Sequence, residues 1–313
     1  MMRQSRSRAG ALVACLLPAA LVTMLAGAQA PARPDPLVKE GATEKISTHV
    51  YVIPDGSVPL VPNVGIVVGS RATLVVDTGL GARNAQTVLR ELAKVSRTPD
   101  LYVATTHVHP EHDLGAHAFP AHTKMIRAKS QQDEIAETGM ETAQRFAGMS
   151  PLNAQLLEGA AFRKADITFE TEHVLDLGGV RVRLMAVGPA HTRGDTVFFV
   201  EPDRVLFSGD VVMTALPAFS SPASSVARWQ SNLDALEALK PVRIVPSHGP
   251  MGNTSMIAAY RTFLDTIVTR VRALKAQGRS LDETVQTLQK ELEMRYDRQR
   301  MVSAIRTAYN EAP

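Results

Sequence analysis

The chain has 313 residues, of which 45% are hydrophobic and 21% are charged. This composition is that of a soluble globular protein with a sizeable core, it argues against disorder, and the length suits one large domain with small extensions. The formal net charge is only +3, and no basic run carries interleaved aromatic residues, so nucleic-acid binding receives little support.

The N-terminus has the features of a secretory signal peptide. Three arginines within the first eight residues precede an apolar stretch over residues 9–26 that ends in small residues. An A-x-A motif at residues 26–28 predicts cleavage after residue 28. We therefore expect a periplasmic or secreted chain that begins near Gln29 and has no stable membrane insertion. Because about 18 apolar residues lie near the lower limit for spanning a bilayer, an uncleaved anchor is the alternative.

The single cysteine, Cys15, lies inside this apolar stretch. Removal of residues 1–28 would therefore leave a chain with no thiol and no disulfide, stabilised by its core and by any metal that it binds. Residues 12–15 also resemble a lipoprotein acylation box, so lipidation of Cys15 is a second alternative.

Residues 29–44 are rich in proline and are expected to form an extended lead-in. Beyond them, strand-like runs are predicted at residues 49–53, 63–68, 72–76, 101–105, 167–169, 173–177, 180–187, 196–200, 205–208 and 243–246. Helices are predicted at residues 82–95, 226–239 and, for the most part, 130–157. Strand-rich halves flanked by helices imply two sheets with helices outside, so we expect an α/β domain over residues 45–254.

The C-terminal part, residues 255–313, is expected to be helical and to pack on this domain or extend it. A helix is predicted over residues 255–276, and Gln-Gly at residues 277–278 ends it. Ser280 and Glu283, three residues apart, form a capping-box pattern that begins another helix.

The strongest chemical signal is Thr-His-Val-His-Pro-Glu-His-Asp-Leu-Gly at residues 106–115, directly after a predicted apolar strand. His107 and His109 occupy alternate positions, which project to the same side of an extended segment. Glu111 and His112 follow, where a turn can bring them toward a second metal. Imidazole nitrogens and carboxylate oxygens are ligands that zinc takes, so four such residues at this spacing predict a metal site, whereas one histidine alone would more simply cap a turn.

This segment resembles the H-x-H-x-D-H motif of the metallo-β-lactamase superfamily, and four further landmarks of that family follow its order. They are Val-Asp-Thr-Gly at residues 76–79, Gly-Pro-Ala-His-Thr-Arg-Gly-Asp-Thr at 188–196, Leu-Phe-Ser-Gly-Asp at 206–210 and Ile-Val-Pro-Ser-His-Gly-Pro at 244–250. The resemblance covers about residues 45–250 of the chain. It implies a four-layer αβ/βα sandwich with a C-terminal helical extension.

The resemblance also implies a centre with two zinc ions, with iron or manganese as the alternative metals. The side chains that would hold the first ion are His107, His109 and His191. Those that would hold the second ion are His112, His248 and Asp210, with Asp210 bridging the two ions. Asp77 would support the metal-binding loop without binding metal itself.

Glu111 departs from the family, which has aspartate at this position. Glutamate keeps the carboxylate but adds a methylene group, which is about 1.5 Å of reach against a ligand-distance tolerance of about 0.2 Å. The second metal position is therefore expected to be shifted, weaker or differently coordinated. Glu111 would ligate this metal and orient or deprotonate the attacking water, and Asp113, two positions later, is a less natural substitute.

The expected function is an exported zinc-dependent hydrolase acting on an ester-, lactone-, thioester- or amide-like bond of a small molecule. Zinc lowers the pKa of bound water to about 7, which makes hydroxide available at neutral pH. Asp210 at the bridging position resembles the glyoxalase II and lactonase branches more than the β-lactamases, although export keeps β-lactam hydrolysis as an alternative. A metal-binding protein with little turnover, because of Glu111, is an alternative of another class. Residues 130–157 and the C-terminal helices are expected to form walls of the substrate pocket.

Overall fold

Two β-sheets lie at the centre of the fold, in a computed structural model that describes residues 34–313. The predicted signal peptide, its cleavage site and Cys15 lie outside the described residues. Residues 34–313 form one compact unit. Among their helices, none combines the length and the apolar character that crossing a membrane requires.

The first sheet consists of seven of the described strands, paired in chain order. They are β1 (Glu44–Lys45), β2 (Val50–Ile53), β3 (Val64–Val68), β4 (Ala72–Val76), β5 (Asp100–Ala104), β6 (Lys124–Ala128) and β7 (Ile167–Phe169). Neighbouring strands are antiparallel from β1 to β4 and parallel from β4 to β7.

The second sheet consists of five described strands in the order β12-β11-β10-β9-β8. They are β8 (Glu172–Asp176), β9 (Arg181–Ala186), β10 (Thr196–Val200), β11 (Val205–Gly209) and β12 (Arg243–Pro246). The strands β8 to β11 pair antiparallel, and β11 pairs parallel with β12.

The helices surround these sheets. They are α1 (Gly81–Val95), α2 (Pro110–Asp113), α3 (Lys129–Glu134), α4 (Met140–Ala147), α5 (Pro151–Leu156), α6 (Val226–Ala238), α7 (Ser255–Ala276), α8 (Leu281–Leu292) and α9 (Arg298–Glu311). A 3-10 turn at Ala116–Ala118 follows α2, and a π-helical turn at Ile135–Gly139 joins α3 to α4.

Three hydrophobic cores separate four layers. The core between the sheets contains Val67 and Leu74 of the first sheet and Phe198 of the second. On the outer face of the first sheet, α1 contributes Val88. On the outer face of the second sheet, α6 contributes Trp229, and α7, α8 and α9 pack into the same core. The expected four-layer αβ/βα architecture is therefore confirmed, with the C-terminal helices in one outer layer.

Three glycines show how the sequence permits this arrangement of strands. A Cβ atom at Gly65 of β3 would overlap the ring of Phe207 of β11, so glycine allows the two sheets to approach each other there. Gly178 and Gly179 have φ angles of 90° and 77°, which the two-residue turn between β8 and β9 requires. All three glycines therefore affect how the second sheet is formed and placed.

The strand β6 and the helical segment after it differ from the sequence prediction. No strand was predicted at Lys124–Ala128, where Arg127 is fully buried and paired with Asp113. The helix predicted over residues 130–157 is divided into α3, the π-helical turn, α4 and α5. The last break falls before Pro151, which occupies the first turn of α5, where proline is well tolerated.

Candidate metal centre

The predicted site residues lie at or just after the ends of strands, along one edge of the two sheets. We call this edge the rim. Asp77 directly follows β4, residues 105–112 follow β5, Asp210 directly follows β11, and His248 lies two residues beyond β12. The strands β4 and β5 are parallel, as are β11 and β12, so the carboxyl ends of each pair lie side by side. His191 enters the same rim from the connection between β9 and β10.

His107, His109 and His191 form a group that we call the first cluster. One ring nitrogen from each lies within 4.8 Å of the others. The Nδ1 atom of His109 is 3.0 Å from Nε2 of His107 and 3.3 Å from Nε2 of His191. Three imidazole nitrogens therefore converge on one point.

Glu111, His112 and His248 form the second cluster, whose ligand atoms also lie within 4.8 Å of one another. Oε1 of Glu111 is 3.7 Å from Nε2 of His112 and 4.0 Å from Nε2 of His248. Asp210 lies between the clusters, because it groups with His107 and His112 and its Oδ2 is 3.4 Å from Nε2 of His191.

Hydrogen bonds to residues outside the clusters determine which ring nitrogen of His191 and of His248 can bind a metal. Nδ1 of His191 donates to the carbonyl of Ala218 at 2.6 Å, and Nδ1 of His248 donates to the carbonyl of Val61 at 2.9 Å. A carbonyl oxygen can only accept, so these Nδ1 atoms carry a proton, and Nε2 is the nitrogen left for a metal. Both rings therefore present the nitrogen that can bind a metal.

Asp77 holds three parts of the rim together. This residue has a positive φ of 64°, and it is buried. Its Oδ2 accepts from Nδ1 of His112 at 2.9 Å and from Oγ of Ser247 at 3.2 Å, while its Oδ1 accepts from the backbone N–H of Thr106 at 2.8 Å. The carboxylate thus links the ends of β4, β5 and β12 and orients His112.

Burial and mutual charge set the protonation of the clusters before any ion binds. Burial, together with neighbouring imidazoles, lowers the pKa of His107 and of His109 well below the ordinary value, so both rings are neutral at neutral pH. Burial also lowers the pKa of His112, but the carboxylates of Asp77, Glu111 and Asp210 outweigh it and raise that pKa to about 9. Burial raises the pKa of Asp210, yet the surrounding histidines lower it to about 2. His112 is therefore a cation at neutral pH, and Asp210 is an anion.

Three buried polar atoms of the rim have no hydrogen-bond partner. They are Oε2 of Glu111, Nε2 of His112 and Oδ1 of Asp210. Unpartnered buried polar atoms are costly and rare, and an ion at the clusters would give all three a partner. The donors are imidazoles and carboxylates, which is the set that zinc prefers. The residues present therefore fit a metal centre.

Asp195 stabilises the loop that carries His191, a role that the sequence did not indicate to us. Its carboxylate accepts from the backbone N–H of Ala190 at 3.1 Å and of Thr192 at 3.0 Å, and from the Thr192 hydroxyl at 2.7 Å. Burial raises the pKa of Asp195 to about 6. Thr192 and Asp195, three positions apart, form a local capping pattern that could have revealed it.

Asp113 is part of a buried ion pair and not of either cluster. Both of its oxygens accept from Nη2 of Arg127, at 2.9 and 2.8 Å, and the Thr105 hydroxyl donates to it at 2.6 Å. Arg127 also donates to the carbonyl of Arg163 at 2.7 Å. These contacts attach α2, which carries Glu111, to β6.

A cavity of about 380 Å³ reaches the first cluster at His109. Its walls come from α3, the π-helical turn, α4, the His191 loop and residues 220–223. The charged residues that line it are Glu134, Glu137, Glu141, Arg145 and Arg193. Residues 130–157 therefore do form one wall of a cavity beside the rim.

Comparison with known proteins identifies the relatives of this chain. The metallo-beta-lactamase superfamily matches residues 57–248. The acyl-coenzyme A thioesterase MBLAC2 of Homo sapiens is 28% identical over 163 residues, and that of Bos taurus is 29% identical over 164 residues. Each match covers 48% of this chain and 58% of the relative, so the chain spans little more than half the length of these relatives.

Solved structures share the fold. The sec-alkylsulfatase Pisa1 from Pseudomonas sp. superposes with a TM-score of 0.69 at 15% identity, covering 86% of this chain and 50% of that protein. A beta-lactamase domain protein from Burkholderia ambifaria gives a TM-score of 0.62 at 20% identity and covers 87% of both chains. At such identities the likeness extends to the fold alone.

Proposed function

The chain belongs to the metallo-β-lactamase superfamily, and we propose that it is a zinc-dependent hydrolase of a small molecule with an ester-, lactone-, thioester- or amide-like bond. Membership of this superfamily and the name of the mammalian relatives support the hydrolase function. The proposed metal dependence rests on the two adjoining clusters. In each cluster the nitrogen and oxygen ligand atoms lie close together, and some of these atoms have no hydrogen-bond partner. A cavity lies beside them.

We assign the two ions to two sets of ligands that have Asp210 in common. The first cluster, His107, His109 and His191, would hold one zinc ion. His112, His248 and Asp210 would hold the other, together with Glu111 of the second cluster, and Asp210 would contribute to both sites. When bound, the ions supply Lewis acidity that polarises the scissile carbonyl and lowers the pKa of the attacking water.

Glu111 is the group that we propose accepts the proton of the attacking water. Burial raises its pKa, which makes it a stronger base than an exposed glutamate, and its Oε2 has no other partner. The water oxygen forms a bond to the scissile carbon, and the proton passes to Oε2 of Glu111. The bond to the leaving group then breaks, and the leaving group receives that proton.

The substrate class is tested by a panel assay. The name of the mammalian relatives, acyl-coenzyme A thioesterase, supports including thioesters beside a lactone, a simple ester, a phosphodiester and a β-lactam. We expect hydrolysis of an ester, lactone or thioester that is lost on chelation and restored by zinc. Hydrolysis of the β-lactam alone would instead support the β-lactamase alternative. Full zinc loading without any hydrolysis would contradict our proposal and support a metal-binding protein with little turnover.

We further propose that the protein is exported to the periplasm or secreted. The proposal depends on the N-terminal arginines, the apolar stretch and the A-x-A motif at residues 26–28. N-terminal sequencing of protein recovered from the periplasm should begin at Gln29. Protein retained in the membrane with an intact N-terminus, or lipidated at Cys15, would contradict it.

A further inference from the structure

His248 differs from the other predicted metal ligands in how its side chain is held. The other six ligands are buried, whereas 27% of the His248 side chain is exposed. Packing therefore restricts this ring less than it restricts the other ligands. The hydrogen bond that orients the ring is donated by Nδ1 to the carbonyl of Val61 at 2.9 Å. The position of Val61 consequently determines where Nε2 of His248 points.

Val61 belongs to the connection between β2 and β3, residues 54–63, which we call the β2–β3 loop. Ser57 and Leu60 in this loop have positive φ angles of 58° and 63°. Such angles are uncommon for residues other than glycine, and they persist where surrounding contacts enforce them. Local preference alone therefore does not explain the shape of the loop, and contacts with other segments are needed to maintain it.

Asn63 joins the end of the β2–β3 loop to the segment that carries His248. Its side chain is buried, and Nδ2 donates to the carbonyl of Pro246 at 2.9 Å and to the carbonyl of Gly249 at 2.9 Å. Its backbone N–H donates to the carbonyl of Ser247 at 2.6 Å. The residues on both sides of His248 are therefore hydrogen-bonded to one asparagine.

Asp55, at the start of the loop, adds two bonds to the same network. Its Oδ2 accepts from the backbone N–H of Gly249 at 2.7 Å, and its own backbone N–H donates to Oδ1 of Asn63 at 2.8 Å. Both N–H groups and the oxygen of the Asn63 amide thus have a partner. A carboxylate has no N–H to donate, so this arrangement requires an amide side chain.

We propose that Asn63 is a positioning residue for the second metal ion. It fixes the β2–β3 loop against residues 246–249, and the loop in turn orients the His248 ring through Val61. A ring that is already oriented loses less freedom when it binds a metal, so bonds of this kind raise metal affinity. The inference rests on the proposed function, because it requires His248 to be a metal ligand.

The test measures zinc binding in the absence of substrate. Zinc is titrated into the metal-free protein in competition with a chromogenic chelator, which gives one affinity for each binding event. His248→Ala removes the ligand itself and so identifies the event that belongs to the second cluster. We expect Asn63→Ala to weaken that event by roughly 10- to 100-fold and to leave the other event within about twofold.

Asn84 of α1 offers a matched control. It is also buried, its Nδ2 donates to the carbonyls of Pro36 and Leu80 at 3.0 and 2.9 Å, and its Oδ1 accepts from the backbone N–H of Val38 at 2.7 Å. Asn84→Ala therefore removes the same kinds of hydrogen bond without removing any bond to residues 246–249. Both zinc affinities of this control should equal those of the unmodified protein.

Asp55→Ala is a milder variant, which keeps the test decisive if Asn63→Ala does not fold. It removes the bond to the Gly249 N–H and leaves the bonds from Asn63 to residues 246–249 in place. We expect the second-cluster event to weaken by about two- to tenfold, which corresponds to the loss of one hydrogen bond.

An unchanged second-cluster event in Asn63→Ala and Asp55→Ala would overturn the proposal. Equal weakening of both events, or an equal effect of Asn84→Ala, would overturn it as well, because the loss would then not be specific to His248. Failure of the hydrolase function has a different signature. The unmodified protein would bind two zinc ions and hydrolyse none of the substrates, and the comparison of variants would still establish or refute the role of Asn63.

Discussion

Nδ1 of His112 lies 2.9 Å from Oδ2 of Asp77, and both side chains are almost fully buried. The two residues are 35 positions apart and follow different strands of the first sheet. This hydrogen bond turns Nε2 of His112, which has no partner of its own, toward Asp210 and Glu111. The second cluster therefore depends on a carboxylate that does not belong to it.

We predict that Asp77→Asn weakens zinc binding at the second cluster. The asparagine amide keeps the size of the side chain but loses the charge that orients His112, and losses of this kind reduce metal affinity by roughly 10- to 100-fold. Competition with a chelator measures the effect. Asp203→Asn is the matched control, because Asp203 makes a similar bond of 2.7 Å to His49 away from the rim. Equal affinities in both variants would contradict the role of Asp77.

We predict that zinc binding at neutral pH releases a proton from His112. The pKa of this ring is raised to about 9 in the metal-free fold, so zinc must displace its proton, whereas His107 and His109 are already neutral. The proton should be released when the second ion binds, and no release should be observed above pH 9. A pH indicator in weakly buffered solution detects it, and proton-free binding of both ions would contradict the displacement of a proton from His112.

The raised pKa of His112 also predicts how the stability of the metal-free protein varies with pH. A ring that binds its proton more tightly in the folded state stabilises the fold fully below its ordinary pKa of 6.5. That contribution is lost as the pH rises through about 9. Denaturant unfolding of the metal-free protein between pH 6 and 10 should show this decline in the free energy of unfolding. In Asp77→Asn the free energy of unfolding should vary less with pH.

We predict that Glu111→Gln and Glu111→Asp both lower kcat. The amide cannot accept a proton, so its effect should be about 10²- to 10⁴-fold, in the range typical of general-base removal. Aspartate keeps the carboxylate but moves it back by about one methylene group. Glu111→Asp should therefore lower kcat less than Glu111→Gln does. Zinc content is measured on the same samples and kcat is compared at equal zinc loading, because Glu111 belongs to the second cluster. A gain in kcat for Glu111→Asp would show that glutamate handicaps the reaction.

We predict that Arg127→Leu destabilises the fold by about 3–5 kcal/mol, because it leaves Asp113 charged and buried without a partner. The two side chains are completely buried and lie 2.8 Å apart. Adding Asp113→Asn to Arg127→Leu should recover part of the loss, since it removes the uncompensated charge. Urea unfolding of the single and double variants measures both steps, and additive losses would contradict a direct coupling.

The sequence predicted the strands that carry the site because each reads as a short apolar run ending in a polar landmark. The strands β4, β10 and β12 occur at the predicted bounds. The strand β6 was missed because the burial of Arg127 depends on Asp113, which lies in a different element. The contacts of Thr106 and Ser247 with Asp77 were likewise beyond prediction, since they join residues that are distant in sequence. The histidine motifs identified the candidate ligands from the sequence. The hydrogen bonds that support these ligands could be identified only from the folded structure.

The central claim is that two adjoining clusters hold two zinc ions that the hydrolysis requires. The most direct test starts from protein whose metal has been removed by a chelator. Zinc is added stepwise, and bound metal per chain and hydrolysis of a responsive ester or thioester are measured in the same samples. We predict saturation at about two ions per chain, with activity that rises with bound zinc. Saturation at about one ion per chain or fewer, or activity that is unchanged by chelation, would contradict the account.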